Sequence, residues 1–207
     1  MNATDAIFYI LILIMSVVIH EVAHGFAAEF FGDKTARHAG RLTLNPIAHI
    51  DIFGSVILPV VLVLSHSPFL VGWAKPVPYN PNNLSNRRWG TLAVASAGII
   101  ANFCLAFIFG LVIRFTYGLN LPDGFYFITS VIVVVNLALG IFNLVPIPPL
   151  DGSKILFSFL PRSAFSAMVI YERYALFVLI LFIVFFSDIL YPILSSLFAL
   201  FTGLPFS

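Results

Sequence analysis

The chain has 207 residues, of which 60% are hydrophobic and 9% charged, and its formal net charge is +1. A soluble domain carries about a quarter charged residues, so a water-facing surface is excluded over most of this chain, and the small net charge gives no reason to expect nucleic acid as a partner. The lone cysteine, Cys104, excludes an intramolecular disulfide and a thiolate metal cluster, and it reads as a small residue packed in a helix.

Five apolar stretches approach the ~20 residues that a spanning helix needs: Asp5–Phe31, Ile52–Trp73, Thr91–Tyr117, Gly124–Val145 and Tyr174–Leu200. They predict an all-α polytopic membrane protein with four to five transmembrane helices plus a membrane-re-entrant segment, in a single domain over residues 1–207. The first run, from Ala6 to Ile19, lacks the basic start and the small-residue cleavage site of a signal peptide. It is expected to be a retained membrane helix.

That helix continues into His20-Glu21-Val22-Ala23-His24. Residues four apart share a helix face, so both imidazoles can reach one metal ion, and Glu21 stands where it can take a proton from water at that metal. The pattern predicts a zinc site. Its position after about a dozen apolar residues strengthens the prediction, because an ionisable group in the bilayer costs on the order of 2.5–3.5 kcal/mol.

The second stretch, Ile52–Trp73, is the weakest as a span. It holds Gly54, Pro59, Ser65, His66, Ser67 and Pro68 and is rich in Val and Ile. A kinked helix, a pair of strands and a loop that dips into the membrane all fit. Re-entrance places Lys34, Arg37, Arg41, Lys75, Arg87, Arg88, Lys154, Arg162 and Arg173 on one side, leaving Arg114 on the other. Basic residues favour the cytoplasmic side, so the N-terminus is expected outside and the basic loops inside. An exposed strand edge within Ile52–Tyr79 would hold an unwound peptide by β-addition; a structural hairpin that only shields the site fits equally.

In the third stretch, Ala97 and Ala101 offer a small-residue face for close helix packing. Asn102 reads as an interhelical hydrogen-bonding residue, with orientation of a metal ligand as the other reading. The fourth stretch ends in Asn143-Leu144-Val145-Pro146-Ile147-Pro148-Pro149-Leu150-Asp151-Gly152. Its prolines break the helix and free carbonyls at membrane depth, which points to a cavity lining. Asp151 is the best third zinc ligand, against the plainer reading of a helix N-cap. His38, His49 and His66 have no helical spacing and read as hydrogen-bonding or interfacial residues. Depth agrees: Asp151 meets His20 and His24 only if one full crossing separates them, which is the Thr91–Tyr117 span. The last stretch is interrupted by Ser187-Asp188 and Pro192, and reads as one tilted span with an interfacial helix or as two short helices.

Taken in order, His20-Glu21-x-x-His24, Arg41-Leu42-Thr43-Leu44-Asn45-Pro46, Gly72-Trp73-Ala74-Lys75-Pro76-Val77-Pro78 and Asn143…Pro146…Pro149-Leu150-Asp151-Gly152 resemble the site-2 protease family of intramembrane zinc metalloproteases, in its compact bacterial and archaeal branch. The resemblance runs from about Ile14 to Gly152. It implies one zinc ion per chain on His20, His24 and Asp151, Glu21 as catalytic acid/base, and Asn143 as a residue that stabilises substrate or the oxyanion. It also implies a transmembrane protein substrate, a lipid bilayer as partner, and a multi-pass cell-membrane location with the site near the cytoplasmic side. One departure stands out: Ala97-Gly98-Ile99-Ile100-Ala101-Asn102 lacks the proline that the family often carries after Ala-Gly, which predicts a straighter start to that helix. The competing expectation is a non-catalytic zinc-binding membrane protein or metal carrier.

Overall fold

A computed structural model describes residues 3–57, 60–61, 64–65, 74–161 and 171–206. Helix α1 runs Ala3–Phe30, the short α2 Thr35–His38, α3 Arg87–Thr116, α4 Asp123–Leu144, α5 Asp151–Phe159, α6 Ala175–Phe186 and α7 Leu190–Thr202. Among the described residues there is no strand. Three helices, α1, α3 and α4, are long and apolar enough to cross a membrane. A fourth candidate is the pair α6 and α7, bent by 70° at the break near Ser187. The last stretch is therefore two short helices.

Helix α3 is the axis of the bundle, packed against α1, α4, α5 and α7. Asn86 starts it by accepting the Trp89 N–H at 3.1 Å. Its buried row, Gly90, Val94, Gly98, Asn102, Ala106, Gly110 and Ile113, repeats almost every four residues and so forms one stripe. The close-packed face is this row, one position along from the expected Ala97 and Ala101, because glycine admits neighbours that alanine would exclude. A Cβ on Gly90 would press on Leu84, one on Gly98 on His20 and one on Gly110 on Phe201. Helix α7 closes the far side, with Phe198 joining Ala106, Ile113, Val133, Leu137 and Ile141 in a buried cluster.

Outward faces carry large apolar side chains, among them Ile7, Ile10 and Leu11 on α1, Ile108 on α3 and Leu176 and Phe177 on α6. Lipid tails accept such a surface where water would not, and this is a multi-pass membrane protein. Cys104 also faces outward. It lies in a helix as expected but is not packed, since the buried row passes through Asn102 and Ala106 instead.

The segment from 31 to 86 leaves α1 and returns to the same end. Ser85 N–H donates to Phe31 O at 2.8 Å, so α3 starts beside the end of α1. A single full crossing in between would have started α3 at the opposite end. Within Ile52–Trp73, Ile52–Ile57 forms a π-helical turn rather than a strand. The Asp51 carboxylate accepts the Gly54 N–H at 2.8 Å and Ser55 Oγ accepts the Asp51 N–H at 3.1 Å, a local cap that overrides the strand preference of Val and Ile. Residues 58–59, 62–63 and 66–73, including His66, lie outside the described residues.

Asp33 ties this segment down. Its carboxylate accepts from Thr35 Oγ1 at 2.5 Å, Thr35 N at 3.1 Å, Asn80 N at 2.6 Å and Asn83 Nδ2 at 3.0 Å. Burial pushes the Asp33 carboxyl up, but these hydrogen bonds outweigh it and hold the group below the ordinary carboxylate range. A lowered folded-state pKa contributes stability above the unfolded value of about 3.9, and that stability is lost as pH falls through the folded value. Asp33→Ala is expected to lower stability by about 1–3 kcal/mol, seen as a lower thermal midpoint in detergent. The gap between wild type and variant should close as pH is taken below about 4.

Candidate metal centre

His20 and His24 lie one turn apart on α1, and both are buried. Asp151 begins α5 and is buried beside them. The prolines act here. Val145 ends α4, the chain turns through Pro146, Ile147 and the cis Pro148–Pro149 bond, and α5 starts at once. Gly152 makes the turn possible, since a Cβ there would stand 2.3 Å from Leu144 O. Asp151 does not cap the helix: Leu150 is the N-cap residue and no side chain caps it. The carboxylate faces the histidines instead.

One carboxylate oxygen, Oδ2, stands 3.1 Å from His20 Nε2 and 2.9 Å from His24 Nε2. The two Nε2 atoms are 3.0 Å apart. The other oxygen, Oδ1, accepts from Lys154 Nζ at 2.8 Å. The far nitrogens decide which atoms carry protons. His24 Nδ1 donates to Val94 O at 2.6 Å, and a carbonyl can only accept. His20 Nδ1 donates to Asn102 Oδ1 at 2.5 Å. In their neutral, metal-binding form both imidazoles therefore hold their proton on Nδ1 and turn a bare Nε2 lone pair toward the shared point.

Two lone pairs and a carboxylate oxygen aimed at one point repel one another unless a cation sits among them. Ligands on a tetrahedral ion with bonds of ~2.0–2.1 Å stand ~3.3–3.4 Å apart, and the 2.9–3.1 Å separations here are close to that. The donor set fits a metal ion. Second partners also fix each ligand's orientation, as metal-binding histidines ordinarily require.

Glu21 is half-buried, and its Oε2 accepts the Val77 N–H at 2.9 Å. The 74–80 segment thus lies against the site. Arg41 holds it there, donating to Lys75 O at 2.6 Å, while Lys75 N–H donates to His49 O at 2.9 Å. His49 Nε2 bonds Thr43 O at 2.9 Å. His49 therefore ties loops together, and His38 ends α2; neither joins the cluster. Asn143 does not meet it either, because Asn143 Nδ2 donates to Leu139 O at 3.0 Å within its own helix.

Three participants escaped sequence reading. Lys154 had a signal in its i, i+3 spacing from Asp151. Asn136 had one as an amide in the middle of an apolar span. The Val94 carbonyl had none, since a backbone acceptor leaves no trace in residue type.

The family model for peptidase family M50 matches residues 8–131 and 120–186. The chain belongs to peptidase family M50. His20 and His24 fall in the first matched span and Asp151 in the second. The chain is 38% identical over 199 residues to "Putative zinc metalloprotease YwhC" of Bacillus subtilis, covering 91% of this chain and 86% of that protein. It is 30% identical over 141 residues to "Putative zinc metalloprotease Rip2" of Mycolicibacterium smegmatis, covering 67% of this chain and 52% of that one. The aligned part is thus about half the length of that second relative. No solved structure matches the chain.

Gly98 sets a steric requirement against the His20 ring itself. A Cβ there would stand 2.6 Å from two atoms of the His20 ring. Gly98→Ala is expected to displace His20 and weaken metal binding about tenfold or more, with the helical circular-dichroism signal retained. Competition with a chromogenic chelator measures it.

Proposed function

We propose that the chain is an intramembrane zinc metalloprotease that hydrolyses peptide bonds within or beside transmembrane segments of other membrane proteins. One zinc ion per chain would be held by His20, His24 and Asp151. The observation that carries this reading is the convergence of three metal-binding atoms, all within 4.8 Å of one another, inside an apolar helix bundle. Two imidazoles and one carboxylate leave a coordination position open, as catalytic zinc sites do. Bound zinc supplies Lewis acidity toward a peptide carbonyl and toward water.

The chain's own residues would do the rest. Glu21 takes a proton from the attacking water as the new C–O bond forms, then gives it to the leaving amine nitrogen as the C–N bond breaks. Val77 N–H anchors Oε2, and Oε1 is the oxygen that carries the proton in this reading. Asn143 would release Leu139 O and turn its amide to the developing oxyanion. The 74–80 segment, pinned by Arg41 and Asp33, acts as a shield that keeps lipid from Glu21. The bias of Lys34, Arg37, Arg41, Lys75, Arg87, Arg88 and Lys154 to the site's end of the bundle supports a cytoplasm-facing site, with the N-terminus outside. The setting would be a bacterial or archaeal plasma membrane, with residues 1–207 acting as one domain.

Glu21→Gln is expected to retain about one zinc per chain and lose ~10²–10⁴-fold in turnover of a transmembrane substrate. Undiminished cleavage by that variant would remove Glu21 from the mechanism. Asp151→Ala should lose the zinc itself, read by elemental analysis of the purified protein. Zinc retained in that variant would mean another third ligand, and no zinc in wild type even after supply would leave a non-catalytic membrane protein as the better reading.

A further inference from the structure

Asn136 is completely buried in the middle of α4, and its hydrogen bonds run to Asn102, Ser16 and Ile132, not to either histidine. We infer that Asn136 is a positioning residue which, acting through Asn102, holds His20 in the tautomer that turns Nε2 toward the metal. The inference rests on His20 being a metal ligand.

The argument follows one chain of donors and acceptors. Asn136 Nδ2 has two hydrogens. One goes to Ile132 O at 2.9 Å and the other to Ser16 Oγ at 2.9 Å. Ile132 O can only accept, so a flipped Asn136 amide would set oxygen against oxygen at that distance. This backbone carbonyl therefore fixes which way the amide faces. Asn136 Oδ1 is turned to Asn102, whose Nδ2 donates to it at 2.8 Å. Asn102 in turn has its Oδ1 left for His20, and accepts the Nδ1 proton at 2.5 Å. All four side chains, Ser16, Asn136, Asn102 and His20, are buried, so water is not at hand to replace a missing partner.

Without Asn136, nothing in this chain of bonds holds the Asn102 amide. A half-turn would present Nδ2 to His20, whose Nδ1 would then have to accept. The proton would move to Nε2, where it faces Asp151 and His24 and blocks coordination. His24 needs no such relay, because its Nδ1 donates straight to Val94 O. The effect is specific to His20.

The test uses the full chain in detergent. Zinc affinity is measured by chelator competition for wild type, Asn136→Leu, and Asn136→Leu combined with Asn102→Asp. A carboxylate at 102 has no donor face and imposes the Nδ1–H tautomer on its own. The single variant is expected to bind zinc about 10- to 100-fold more weakly, and the double variant to recover most of that loss. A packing role for Asn136 would not be relieved by a change at 102. In metal-free protein labelled with ¹⁵N-histidine, the His20 signal, identified by its absence in His20→Ala, should report Nδ1–H in wild type and lose that pattern in Asn136→Leu. If the leucine variant does not fold, Asn136→Ser gives the same expected loss, since its hydroxyl is too short to reach Asn102. Unchanged affinity, a loss that Asn102→Asp leaves in place, or an unchanged His20 tautomer would each overturn the inference. Wild type that binds no zinc would defeat the metal reading instead, and the tautomer signal would still decide the role of Asn136.

Discussion

Two imidazole lone pairs and a carboxylate oxygen aimed at one point inside an apolar bundle are the constraint on which the rest of this structure depends. Such groups cannot sit in an apolar interior unless every other polar atom they carry is matched. The matches come from three elements. Val94 O and Asn102 come from α3, Lys154 from α5, and Asn136 from α4 behind Asn102. The cluster therefore acts as a register mark for the helices: sliding α1 along α3 by one turn would strand both Nδ1 protons at once.

Close approach makes these matches possible, and glycine supplies it. The stripe on α3 with Gly90, Gly98 and Gly110 lets three different neighbours touch the helix backbone, and the middle one is His20. Gly152 does the same at the turn into α5, where the Leu144 carbonyl passes over it. In lipid there is little hydrophobic force to drive helices together, so shape complementarity of this kind and interhelical hydrogen bonds carry more of the association. The Ser16–Asn136–Asn102–His20 chain serves both ends, joining α1, α3 and α4 while setting the imidazole.

The loops at the site's end follow from a similar economy of partners. Arg41 reaches the Lys75 carbonyl, Asp33 reaches the Asn80 amide, and His49 links Thr43 to the Lys75 segment through its own carbonyl. Residues that in the sequence stood as separate motifs around Arg41 and around Lys75 are two halves of one clamp. Its product is the Val77 N–H set against Glu21. The fixed position of that carboxylate is thus a property of a loop some fifty residues away in the chain, and of an arginine and an aspartate that never touch it.

Much of this was legible in the residues. The apolar stretches gave the helical membrane architecture because the bilayer accepts little else. His20, Glu21 and His24 could be read together because helical spacing is local, and the basic residues with the depth of Asp151 pointed to one crossing between them. Other features depend on distance in space rather than in sequence. The turn at Ile52–Ile57 was decided by a cap from Asp51 and not by Val and Ile propensity. Asn143, singled out by resemblance, is bonded within its own helix, while Asn136, which no motif contains, lies on the route to His20. The sequence by itself determined which atoms are able to hold a metal, since that is a matter of side-chain chemistry and helical period. Only the tertiary structure decided which lone pairs face the site, because the protons are placed by partners on other helices, and one of those partners is a backbone carbonyl that has the same chemistry in every residue.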